Sequence, residues 1–295
     1  IDNLFTGPRV DGDWDRDGNT DSRGWANIAT GFRQGYQYFF GKQRSYMPGK
    51  WITGNIGFRP GESQPEYEYQ LNGGVIEGVL GYSYSPDSWG TFNDMMNLYH
   101  ETMNKAADPK LVIFHQNGPG NDWQAMRYGF GACLLDDGYY YYSINDDYHG
   151  VNWFDEFNAN LGYATSSPAT SSWQSGVYRR DFQNGIVLVN PKGNGGRQVF
   201  LEDDFVKLNG SQDPNVNNGQ TVRSVTLQDR DAIVLMRKSA SGAAAVSQAS
   251  TPVASSSSSS VASVASSSAA TVASSSSSAA TTNGANNGGN VPAGA

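Results

Sequence analysis

The chain has 295 residues, 12% of them aromatic and 16% charged, a single cysteine and a formal net charge of -8. Without a Lys/Arg cluster, such an acidic chain lacks the basic patch that nucleic acid or an anionic membrane surface needs, which excludes both as partners. The lone Cys133 excludes an internal disulfide and a cysteine-based metal site, and no apolar run is long enough to span a bilayer.

In chain order, Ile1-Asp2-Asn3-Leu4-Phe5 sets one carboxylate in a strand-like apolar run, as if the chain began inside an element whose start lies upstream. Asp13, Asp15, Asp17, Gly18 and Asp21 then match the first nine positions of a calcium loop, but Gly24 stands at the twelfth, where a bidentate Glu belongs. Asp13, Asp15, Asp17, Asn19 and Asp21 are therefore candidate ligands for a structural calcium ion. The competing reading is a solvated Asp/Gly loop whose Asp21 or Ser22 caps a helix. That helix follows from Trp25, Ile28, Ala29, Phe32, Tyr36 and Phe39 at helical spacing, ended by Pro48-Gly49.

Residues 51–55 read as a strand ending in Asn55, and Gly74-Val75-Ile76-Glu77-Gly78-Val79-Leu80 as a strand apolar on both faces. An ionised Glu in such a strand is costly unless it lies at the strand's end over a cavity, so Glu77 is the first catalytic candidate. After an aromatic loop with Tyr82 and Trp89, Phe92, Met96, Tyr99 and Met103 mark a helix packed by its apolar stripe. The strand over 110–114 ends in His115, Gln116 and Asn117. Trp123, Met126, Phe130, Cys133 and Leu134 mark the next helix, with Cys133 as packing. Asp136-Asp137-Gly138 turns into a strand over 139–143, and a short helix over 153–161 ends at Gly162.

These units predict an α/β fold: residues 1–165 as five β/α units, strands four to eight of a (β/α)8 barrel whose first three units lie upstream. The rival is a complete, open, doubly wound sheet, weakened because no Gly-rich phosphate loop follows any strand. From Trp173 the period becomes two, predicting a small antiparallel β domain over 173–238. Asn184-Gly185 is its hairpin signal, and residues 228–231 turn its last strand pair. Residues 239–295, Ser/Ala-rich and almost uncharged, bury too little to offset their ordering entropy and read as a disordered linker to a further module.

Several stretches together carry a resemblance: Ile1-Asp2-Asn3, the loop from Asp13 to Asp21, Ile52-Thr53-Gly54-Asn55, the Glu77 run, residues 129–142 (GFGACLLDDGYYYY) and the Arg-rich hairpin over 178–191. Their order resembles a glycoside-hydrolase-like family, the fifteenth of a hypothetical series, across most of residues 1–237. The resemblance implies a barrel related to the α-galactosidase superfamily, with a nucleophilic carboxylate closing strand four and an acid/base carboxylate closing strand six. Counting back from the 139–143 strand as the eighth puts Asp2 on strand four and Glu77 on strand six. Related α-galactosidases carry Asp where this chain has Glu77.

In a barrel the C-terminal ends of the strands face the site. This selects Asp2 and Glu77 as catalytic, and Asn3, Asn55, His115, Gln116 and Asn145 as substrate-binding, joined by Trp89 as a stacking platform. Asp136 and Asp137 precede their strand and belong to the opposite end. The expected function is a secreted or cell-surface glycoside hydrolase acting on an oligo- or polysaccharide, with no cofactor required for the chemistry. Glu77 would protonate the leaving oxygen while Asp2 attacks or steadies the sugar cation. A catalytically silent carbohydrate-binding or scaffold protein is the alternative, and a metal-dependent hydrolase is disfavoured because His100, His115 and His149 form no ligand-spaced cluster. By itself, a chain lacking three barrel units is expected to be inactive.

Overall fold

Period-two alternation sorts the side chains of the first sheet onto a dry face and a polar face. The computed structural model describes residues 7–55, 69–77, 90–145, 147 and 149–238. Within them β1 (Thr53–Asn55), β2 (Gly73–Ile76), β3 (Ile113–Gly118) and β4 (Tyr139–Ile144) form a four-stranded sheet in that order, every pairing parallel. The strand expected over residues 1–5 and the linker over 239–295 lie outside the described residues. Among those described, no helix is long and apolar enough to cross a membrane.

The helix α1 (Ala26–Tyr46) matches the expected span, but its inward stripe is Ile28 and Phe40, buried, with the half-buried Phe32 and Tyr36 between them. Phe39 and Trp25, both expected in that stripe, are 47% and 51% exposed, Trp25 standing before the helix as its N-cap. Steps of four keep Phe40 on the stripe and carry Phe39 off it. Ring contacts run along it, Phe32 to Tyr36 at 5.2 Å and Tyr36 to Phe40 at 5.7 Å.

Two helices cover one face of the parallel sheet. The first, α2 (Phe92–Lys105), starts at a reciprocal cap in which Thr91 and Asp94 satisfy each other's backbone N–H groups. The second, α3 (Trp123–Leu134), starts at Asp122, whose carboxylate accepts from the Ala125 N–H. Met95, Met96, Tyr99 and Met103 of α2 and Tyr128, Ala132 and Cys133 of α3 share a core with Ile76 and Phe114 of the sheet. The Met stripe is therefore packing. β3 starts three residues later than expected and continues through His115, Gln116 and Asn117, because β4 pairs with it over all six residues.

The second sheet is antiparallel: β5 (Tyr178–Asp181), β6 (Gly185–Asn190), β7 (Arg197–Lys207), β8 (Thr221–Leu227) and β9 (Asp231–Arg237), in the order β5-β6-β9-β7-β8. Two turn expectations are corrected here. Residues 228–231 do not join a paired hairpin, since β9 lies between β6 and β7 and β8 pairs with β7. The burial explains it: β6 is buried at every position and β9 at its first five, so both suit the interior of a sheet, whereas β8 alternates and suits an edge.

The second correction is at the β5–β6 hairpin, where the Phe182 N–H donates to the Gly185 carbonyl at 2.9 Å and puts Gln183-Asn184 at the tip. Neither Asn184 nor Gly185 takes a positive φ. Gly185 serves close approach, because a Cβ there would lie 2.5 Å from the Leu235 carbonyl oxygen on β9.

The sheets share a core. Val187, Val189, Ala232 and Val234 pack with Ala132 and Cys133, while the other side of the antiparallel sheet holds Val177, Ile186, Leu188, Val199, Phe205 and Leu235. Two buried arginines tie the parts together. Arg127 on α3 donates to Asp213 at 2.6 Å and Asp231 at 3.2 Å, and Arg180 on β5 donates to Asp137 at 2.6 Å and the Leu134 carbonyl at 3.1 Å.

Candidate active site

The face of the parallel sheet opposite the helices carries the polar side chains. Asn55 pairs with Val75 in register, so its side chain shares a face with Val75 and with Glu77, two residues on. Glu77 follows β2 directly and is half-buried, and Asn55 Nδ2 donates to Glu77 Oε2 at 2.7 Å. Two residues chosen from sequence are thus brought into contact at the C-terminal end of parallel strands.

One strand further, Ile76 pairs with Phe114, so Glu77 follows β2 as His115 follows Phe114 on β3. His115 is 1% exposed, its Nε2 lies 2.8 Å from Ser143 Oγ, and its ring lies over that of Tyr141 at 5.3 Å and 21°. His115 pairs with Tyr141 and Asn117 with Ser143, so all four lie on this polar face. The Tyr141 hydroxyl donates to the carbonyls of Asp147 and Gly150, both at 3.2 Å, pinning the loop after β4. Burial, and then the charge of Asp147, push this hydroxyl's pKa up and keep it a neutral donor.

Tyr141 and Ser143 were not selected from the sequence. The period of two within the 139–143 run was the available signal, since it places them with the His115 face once the register is known.

Gln116 leaves the candidate site. It points to the helix-covered face, where its Oε1 accepts from the Tyr140 hydroxyl at 2.8 Å, because neighbours on a strand face opposite ways. Asn145 sits just past β4 at φ 53°, exposed, and its N–H donates to the Gly118 carbonyl at 3.0 Å, closing the β3–β4 end. Asp2, Asn3, Tyr82 and Trp89 lie outside the described residues.

At the other end of the sheet, Asp136 lies 2.5 Å from His100 Nδ1 and Asp137 binds Arg180, so both carboxylates serve packing. Cys133 is fully buried, and burial pushes its thiol up to about 12, which removes it as a nucleophile.

In the acidic loop, three of the five candidate ligands, Asp13, Asp15 and Asp21, bring carboxylate oxygens within 4.8 Å of one another, whereas Asp17 falls outside that group. An all-oxygen set of this kind fits a hard cation such as calcium. The same groups also close the loop on themselves. Asp21 Oδ2 accepts from the Trp14 N–H at 2.8 Å, Asp13 Oδ1 from Asp17 at 2.9 Å, and Asp17 Oδ1 from Asn19 at 2.8 Å.

Helices on a parallel sheet, joined through one core to an antiparallel sheet, define an α/β protein. Residues 1–186 match the family described as hypothetical glycosyl hydrolase family 15, and the chain belongs to that family. Similar solved structures include an α-amylase from Anoxybacillus, at 10% identity and a TM-score of 0.37 over 70% of this chain and 57% of that one. An α-amylase from Geobacillus thermoleovorans complexed with acarbose matches at 10% identity and a TM-score of 0.38, over 70% and 58% respectively. The chain therefore spans less than two thirds of either amylase chain. No curated protein matches it.

Proposed function

We propose that the protein is a glycosidase that cleaves an oligo- or polysaccharide at the C-terminal rim of its parallel sheet. Glu77 is the acid/base, and Asp2 is the nucleophile or the carboxylate that steadies the sugar cation. The observation carrying this reading is the Asn55–Glu77 hydrogen bond at the end of a parallel strand, in a chain of a glycosyl hydrolase family. The amide of Asn55, donating to Oε2, fixes the carboxyl's orientation. Beside it the His115–Ser143 pair is fully buried and backs the rim, and the half-buried Tyr141 ring is the part of this face that a sugar can reach. Carboxyls roughly 5 Å apart would retain the anomeric configuration, and about 6.5 to 9.5 Å would invert it.

In this reading residues 1–165 are strands four to eight of a (β/α)8 barrel, 173–238 an appended β domain and 239–295 a linker. The protein works at or outside the cell surface with a carbohydrate as its substrate. A calcium ion held by Asp13, Asp15 and Asp21 would be structural, bracing the loop before α1 and taking no part in the chemistry.

The test is Glu77→Gln in the full-length protein. Loss of an acid/base lowers kcat by about 10²- to 10⁴-fold, less on substrates with activated leaving groups that need no proton. An unchanged rate sinks the assignment. Glycan binding without cleavage by the unsubstituted full-length protein would favour the silent binding protein.

A further inference from the structure

A second surface for sugar lies on the antiparallel sheet. Residues 166–174 run beside an open trough of about 1010 Å³, completed by Arg179 and Asp181 of β5 and by Phe200 and Glu202 of β7. It is at the upper end of the roughly 300 to 1,000 Å³ that small-molecule sites span. β5 and β7 are separated in the sheet by β6 and β9, yet Arg179 reaches Glu202 at 2.6 Å. The sheet therefore curls, and the trough lies in the curl.

Three properties decide what fits there. First, the ion cluster at the trough is electrically balanced once Arg237, outside the lining, is counted with it. Arg179 forks between Asp181, at 2.8 and 2.9 Å, and Glu202, at 2.6 and 2.7 Å, and Arg237 adds a contact to Asp181 at 2.8 Å. Two cations against two anions leave no net charge for an anionic or cationic ligand, but they leave fixed, oriented hydrogen-bonding groups. The Arg179 fork pulls the Glu202 carboxyl down to about 2, so it is an ionised acceptor throughout the neutral range. Second, aromatic surface is on offer without a partner large enough to cover it. Phe200 is 63% exposed, and Trp173 is 40% exposed although the Arg179 guanidinium lies 4.8 Å from its ring centroid. Third, the rim is dense in hydroxyls, since residues 166–172 read Ser-Ser-Pro-Ala-Thr-Ser-Ser.

Flat aromatic surface beside neutral clusters of donors and acceptors suits a ligand that is apolar across its ring faces and hydroxylated around its edges. We propose that this trough is a non-catalytic binding site for a neutral oligosaccharide of several rings, with Trp173 and Phe200 as stacking platforms and the Arg179–Glu202 pair reading hydroxyls. The choice of a glycan as ligand rests on the proposed function, whereas the trough's charge balance and exposed rings are independent of it.

The experiment is affinity gel electrophoresis of the full-length protein through amylopectin, barley β-glucan, galactomannan and, as an anionic control, polygalacturonate. The same gels carry Trp173→Ala, Phe200→Ala and Glu77→Gln, and hydrolysis of short soluble substrates is measured alongside. Retardation by at least one neutral polysaccharide is expected, weakened about tenfold by either aromatic substitution and kept by Glu77→Gln. Phe200, being the more exposed ring, guards against a Trp173 variant that fails to fold.

Retardation unchanged in both aromatic variants overturns the proposal, as does retardation by none of the neutral polymers or by polygalacturonate alone. In those cases Glu77-dependent hydrolysis of short substrates still decides the catalytic reading separately.

Discussion

Arg127→Met tests how the antiparallel sheet is held to the helix that backs the candidate site. Arg127 is 4% exposed and shared between Asp213 and Asp231, the latter also nearly buried. Methionine keeps most of the apolar volume and removes the charge, stranding two carboxylates. Removing one partner of a buried pair costs about 3 to 5 kcal/mol. At about 2 to 4 °C per kcal/mol for a domain of this size, the melting temperature should fall by roughly 6 to 20 °C. The loss should also depend on pH in a defined direction. Burial raises the pKa of Asp231 above its ordinary 3.8, against the pull of Arg127, and losing Arg127 raises it further. A raised folded pKa contributes stability that is present below about 3.8 and lost as pH rises through the folded value. The deficit of the variant is therefore largest near neutrality and shrinks toward pH 4. Urea unfolding at pH 7.5 and 4.5 reads both quantities. A deficit under about 1 kcal/mol, or one that grows on acidification, would refute the reasoning.

Three further outcomes rest on other parts of the structure. Gly73 has φ 138° and a Cβ there would lie 2.3 Å from the Leu111 carbonyl oxygen, so Gly73→Ala combines backbone strain with a clash against backbone. A loss of at least about 3 kcal/mol is expected, with disruption of the β2 end that carries Glu77, and a melting temperature within about 2 °C of the parent would contradict it. Glu156 is buried with a raised pKa, mainly from desolvation, and accepts from Asn217 at 2.8 Å. Its stability contribution is present below about pH 4.5 and lost above, so Glu156→Gln should be neutral or stabilising at pH 7, the gain fading toward pH 4 in thermal melts. Calcium at the Asp13, Asp15 and Asp21 cluster should raise the melting temperature, and Asp21→Asn should abolish that rise. A shift equal in both proteins would remove the site.

Much of the local structure was legible because it repeats at short range. The 3.6-residue stripes of α2 and α3 were visible, and the cost of an ionised Glu in an apolar strand put Glu77 at its strand's end, as observed. The family followed from ordered motifs. Tertiary structure alone decided the rest, since each such feature turns on a partner distant in sequence. The insertion of β9 between β6 and β7 reflects which strands have two faces to bury. The departure of Gln116 from the polar face, and the arrival of Tyr141 and Ser143 there, depend on a register between strands more than twenty residues apart. The trough needs a sheet curled far enough for Arg179 to reach Glu202, and strand periodicity says nothing of curl. Period and composition are properties of neighbours along the chain, whereas register, strand order and curvature are settled by the closing of long loops around a shared core.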